Sequence, residues 1–103
     1  MKKIILILLC VLLQACNTCS SCMIRVAEGK QSFDKGDFKA AFNQLMPAAV
    51  NGNAQAEYAV GYMYYYGYGV PQDSESGLFW MHKAADQRYE PAMKALNLIE
   101  ARH

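Results

Sequence analysis

The stretch from Asn53 to Ala85, NAQAEYAVGYMYYYGYGVPQDSESGLFWMHKAA, decides how the rest of the chain is read. Ala56, Ala59, Val60 and Met63 recur at helical intervals and set the inward stripe of one helix. That helix must stop near Tyr66, because Gly67 and Gly69 follow it and glycine punctuates helical chain. Val70-Pro71 then leads extended chain to Asp73, whose short carboxylate suits an N-cap. Leu78, Met81, Ala84 and Ala85 mark the inward face of a second helix, and the neighbouring Phe79 and Trp80 are read as core with Met81. The unit is therefore helix, glycine-rich turn, helix.

Working outward, Met23, Ile24, Ala27 and Phe33 fall on one helix face upstream, closed by the turn signal Asp34-Lys35-Gly36. Asp37 is placed to cap the next helix, with Phe38, Ala41, Phe42 and Leu45 at helical spacing. Asn51-Gly52-Asn53 closes it, since both residue types accept the left-handed conformation of a C-terminal cap. Downstream, Pro91 fits the first turn of a last helix, where a missing N–H costs little, and Ala92, Ala95, Leu96 and Ile99 form its stripe. No stretch alternates with period two, so the domain reads as all-α. Displacing the sequence by 36 residues pairs Asp37 with Asp73, Ala48 with Ala84, Ala49 with Ala85, Ala56 with Ala92 and Ala59 with Ala95. A helix-turn-helix unit has been repeated, with alanines where adjacent helices must approach closely.

The central stretch resembles the Sel1-like repeat, a relative of the tetratricopeptide repeat. The likeness is carried by Ala56, Val60-Gly61-Tyr62-Met63-Tyr64, Gly67-Tyr68-Gly69-Val70-Pro71-Gln72-Asp73, Trp80 and Lys83-Ala84-Ala85. Gly77 replaces the usual Ala, and Arg88 stands where Gly usually precedes the next repeat. The preceding unit is similar to an ordinary tetratricopeptide repeat at Phe33, Gly36-Asp37-Phe38 and Ala41. The resemblance implies an α-α repeat solenoid: one tetratricopeptide-like unit, one Sel1-like repeat and a capping helix, over residues 23–101. It also implies adaptor or scaffold work, with the first helix of each pair lining a concave face.

Residues 1–15, MKKIILILLCVLLQA, combine Lys2 and Lys3, the apolar run Ile4 to Leu13 and the small Ala15, the anatomy of a secretory signal. The run is short for a bilayer span, the alternative being an uncut membrane anchor. Leu13-Gln14-Ala15-Cys16 resembles the lipobox of bacterial lipoproteins. That likeness implies that Cys16 carries lipid, that residues 16–22 form a tether, and that the protein is anchored to a membrane of the bacterial envelope. Asn17 resembles the sorting pattern for the outer membrane, facing the periplasm. Cys19 and Cys22, spaced C-x-x-C, are open to a local disulfide, a redox pair or half of a metal site, although no βαβ pattern and no second Cys or His pair accompanies them.

At 103 residues the chain is one small domain with a formal charge of +1. Without residues 1–15, which hold two lysines and no acid, eight basic residues face nine acidic ones. That balance excludes a nucleic-acid binder, which needs a basic face. There is no nucleophile motif, no P-loop and no metal-ligand spacing; His82 has no Asp or Cys companion nearby, and His103 is terminal. Neither an enzyme nor a cofactor is expected. Some secreted, cysteine-rich Sel1-like proteins are linked to β-lactam hydrolysis or binding, but the cysteine pair bracing each of their repeats is missing here. Tyr58, Tyr62, Tyr65 and Tyr66 follow i, i+4, i+7 and i+8 and share one helix side, while the repeat pattern assigns Tyr64 to the core. The four rings form either a contact surface or packing between repeats. As a surface they suit another envelope protein or peptide; stacked tyrosines also suit peptidoglycan or another polysaccharide.

Overall fold

The computed structural model describes residues 23–102. The expected signal, the lipidation residue Cys16 and the Cys19 and Cys22 pair lie outside the described residues, as does His103. Within them the chain forms α1 (residues 23–34), α2 (Phe38–Val50), α3 (Ala54–Tyr66), α4 (Ser74–Asp86) and α5 (Glu90–Ala101), with no strand. The all-α repeat solenoid expected from the 36-residue period is what the chain builds. Among the described residues, no helix is long and apolar enough to cross a membrane.

Each boundary is local chemistry. Gly36, at φ +82°, ends α1 while the Asp37 N–H reaches back to Ser32 O at 2.9 Å. Asp37 then caps α2 by accepting from the Ala40 N–H. Gly52, at φ +91°, ends α2 in the same manner, with the Asn53 N–H on Ala48 O, and Asn53 Oδ1 accepts from the Ala56 N–H at 2.9 Å to start α3. Asp73 caps α4 with the Ser76 N–H at 3.1 Å and the Ser76 hydroxyl at 2.6 Å. These bonds hold the Asp73 carboxyl below its usual range. Pro91 occupies the first turn of α5, as its spacing predicts. At the end of α4, Arg88 takes φ 63° where the previous unit has Gly52, 36 residues earlier, so the turn geometry is kept without the glycine.

The core follows the predicted stripes with two corrections. Ala41, Leu45, Ala48, Ala49, Ala56, Val60 and Met63 close around the α1–α2–α3 junction. Met81, Leu96 and Ile99 form a second cluster between α4 and α5. The first correction is α1: Met23, Ile24 and Ala27 face outward, and Val26 and Gly29 face α2. A Cβ at Gly29 would lie 2.5 Å from Leu45 Cγ, so the helix turns its glycine, rather than its apolar stripe, toward the closest approach. The second is Phe79, which stands 58% exposed, while Trp80 is half-buried against the first core and Met81 is fully buried. Lys83 Nζ lies over the Phe79 and Trp80 rings at 5.5 and 4.9 Å.

α3 and α4 meet backbone to backbone. A Cβ on Gly61 would sit 2.8 Å from Gly77 O, and one on Gly77 would sit 2.8 Å from Tyr65 N. Gly77, in place of the usual Ala, is what this crossing requires. In the turn between these helices Gly67 and Gly69 have separate tasks. Gly67 ends α3 at φ +75°, whereas Gly69 lies against the α2 backbone, where a Cβ would be 2.6 Å from the Phe38 carbonyl carbon.

Beside that crossing lies a buried polar knot. Glu57 is 1% exposed; its Oε1 accepts from Gln87 Nε2 at 2.8 Å, and the same amide donates to Gly52 O at 2.8 Å. The knot ties the turn before α3 to the end of α4. Glu57 Oε2 has no partner. Burial pushes this carboxyl above its usual range, against the opposing pull of Lys83 and the Gln87 bond and with some help from Asp86.

Candidate functional site

α1, α3 and α5, the first helices of successive pairs, frame two depressions of the surface. One, of about 440 Å³, runs between α1 and the start of α5, with Val26, Lys30, Phe33 and Asp34 on one wall and Tyr89 and Pro91 on the other. The second, of about 420 Å³, lies between α3 and α5 and is bordered by Lys94, Leu98 and Arg102. Tyr58, Tyr62 and Pro91 line both, so the two make one trough across α3.

All four tyrosines singled out by the sequence border this trough. Tyr58, Tyr62 and Tyr65 are half-buried, their inner edges packed against Met81, Leu96 and Ile99, and Tyr66 is 48% exposed. Tyr58, Tyr62 and Tyr65 thus pack the repeat with one edge and line the trough with the other, whereas Tyr66 lines the trough without joining the second core. Tyr64 points elsewhere, edge-on to Phe42 at 5.4 Å in the first core, as the repeat pattern assigns it.

Tyr62 is the hub. Its ring centroid lies 4.7 Å from Tyr66, 5.9 Å from Tyr68, 6.1 Å from Phe33 and 6.2 Å from Tyr58. Tyr68 in turn stacks on Phe38 at 4.8 Å. Such a lattice fixes ring orientations before anything binds, so little side-chain entropy is left to lose. Burial, reinforced by neighbouring phenols, raises the Tyr58 and Tyr62 hydroxyls above their ordinary range. Both remain neutral O–H groups at physiological pH.

Phe33, Tyr89 and Lys30 line the trough from other elements, Tyr68 packs on Tyr62 from the turn, and the sequence reading assigned none of them to the site. Tyr68 sits between two glycines, and the second of them brings the turn against Phe38. Among the described residues, no group of three or more His, Cys, Asp or Glu side chains gathers where a metal could sit. His82 is exposed on α4, outside the trough. The arrangement offers apolar area, phenolic hydrogen bonds and a few mobile charges.

The glycine turn, the Gly61–Gly77 crossing and the Trp80 to Ala85 segment occupy one continuous unit, and the Sel1 repeat family model matches residues 54–89. Residues 54–89 are a Sel1 repeat. Sel1 repeats generally mediate protein–protein interaction and are non-catalytic as a family. The match takes in α3, α4 and the turn to α5, so all four trough tyrosines of α3 lie inside the repeat.

Proposed function

We propose that the protein is an adaptor or scaffold anchored in the bacterial envelope, whose α1–α3–α5 trough receives a segment of another protein. The observation that carries this reading is the convergence of Tyr58, Tyr62, Tyr65 and Tyr66 on one trough rather than within a sealed core. The anchoring half rests on the sequence alone: the apolar run, Ala15 and Cys16. A lipid on Cys16 would leave residues 17–22 as a short polar tether and present the trough to the periplasm.

A polysaccharide would need open ring faces on which to stack. The Tyr62 ring, at the centre of the trough, already has Phe33, Tyr58, Tyr66 and Tyr68 packed around it. A protein segment, which can use ring edges and phenolic hydroxyls, fits better.

Affinity capture from envelope extracts tests the partner. Tyr66→Ala removes the most exposed ring and leaves the half-buried three in place; it should reduce recovery of a specific envelope protein that the wild type enriches. Equal recovery from both would overturn the trough assignment. Anchoring is tested separately: Cys16→Ser should abolish incorporation of labelled palmitate and release the protein from membranes, and unchanged labelling would refute it.

A further inference from the structure

The charges around the trough do not match the charge of the chain. Residues 16–103 hold eight basic and nine acidic residues, yet the ionisable groups lining the trough, tyrosines apart, are Lys30, Lys94 and Arg102 against Asp34 alone. Lys94 is held by Glu90 at 2.8 Å, in an exposed pair that water screens. No such pair holds Lys30 or Arg102 among the described residues, and residues 1–22 contain no acid that could neutralise Lys30. The floor between these cations is aromatic and uncharged: Phe33, Tyr58 and Tyr62.

Resting on the trough reading above, we propose that the occupant is an acidic extended segment of a partner protein. An aromatic or aliphatic side chain seats on the Phe33–Tyr58–Tyr62 floor, and flanking carboxylates fall to Lys30 on the α1 side and to Arg102 on the α5 side. Apolar burial supplies most of the affinity, and the cations choose among partners by charge and speed their approach. Both residues are exposed, so the charge contribution is modest singly and fades with added salt.

Selection of short random displayed peptides on the full chain in detergent tests this. The selected pool should be rich in Asp and Glu beside an aromatic or aliphatic residue and poor in Lys and Arg. The best peptide, followed by fluorescence anisotropy, should bind Lys30→Glu or Arg102→Glu each about fivefold more weakly, the scale of one exposed charge pair. Reversing the peptide's acids to lysines should restore binding to the double variant. A pool without acidic bias, or affinities indifferent to both reversals, would overturn the acidic occupant while binding lost in Tyr66→Ala still upholds the trough. Peptides that bind Tyr66→Ala and the charge variants as they bind the wild type, or a selection that enriches nothing, would overturn both.

Discussion

Glu57 is the residue at which sequence and environment disagree most. A carboxylate with 1% exposure and one unpartnered oxygen weakens the folded state whenever it is ionised. Its folded-state pKa is raised by burial, with Lys83 and Gln87 opposing and Asp86 assisting. The penalty is therefore present above that pKa and relieved as pH falls through it, toward the ordinary glutamate value near ~4.3. Glu57→Gln keeps an oxygen for Gln87 and removes the charge. It should stabilise the protein by about 1 kcal/mol at neutral pH, with the gap to wild type closing in mild acid. Urea denaturation at the two pH values reads both. Asp73 runs the opposite way: its lowered pKa makes its contribution present at neutral pH and lost as pH falls through the folded value. Arg88 is a second residue-scale tension, since a side chain at φ 63° is strained. Arg88→Gly should raise stability by about 1 kcal/mol, equivalent to roughly 4–8 °C in Tm for a domain this small.

At the scale of elements, helix ends were legible and helix rotations only partly so. Asp37 and Asp73 cap the helices they precede, as read, because capping is chemistry within three or four residues, which a sequence displays directly; Asn53, read only as closing α2, also caps α3. The rotation of α1 depends on where α2 can approach, and Gly29 against Leu45 settles that over a longer-range contact. The apolar residues Met23, Ile24 and Ala27 gave a consistent period on the wrong side, and Phe79 faces outward beside the buried Met81. The α3–α4 crossing is the element contact most sensitive to a single atom. Gly61→Ala would push a methyl to 2.8 Å from Gly77 O and 2.9 Å from Met81 N, with backbone on the other side that cannot swing away. A loss of about 1–3 kcal/mol is expected in thermal or denaturant melts. An unchanged melt would mean that the helices do not cross as described.

At the scale of the molecule, the 36-residue period accounts for the order and pairing of the helices, and the trough is their product. Tyr58, Tyr62, Tyr65 and Tyr66 could be grouped from sequence because they share one helix. Lys30, Phe33 and Tyr89 could not, because α1 and the start of α5 reach the trough only through the stacking of repeats. The matched alanines Ala48, Ala56, Ala84 and Ala92 are all buried, which is how so small a chain brings five helices close enough to enclose a depression at all. A stack this short has few interfaces to share its stability, so an occupant bridging α1, α3 and α5 should also raise its melting temperature.

The central claim is that partners engage the trough and not the rest of the repeat surface. The most direct measurement is in-cell photo-cross-linking with a photoreactive residue at position 66, on the trough rim, compared with one at position 79, exposed on α4 outside it. The trough account predicts one discrete cross-linked envelope protein from position 66, lost when Tyr62→Ala is added, and none from position 79. Equal cross-linking from both positions, or from position 79 alone, would contradict it.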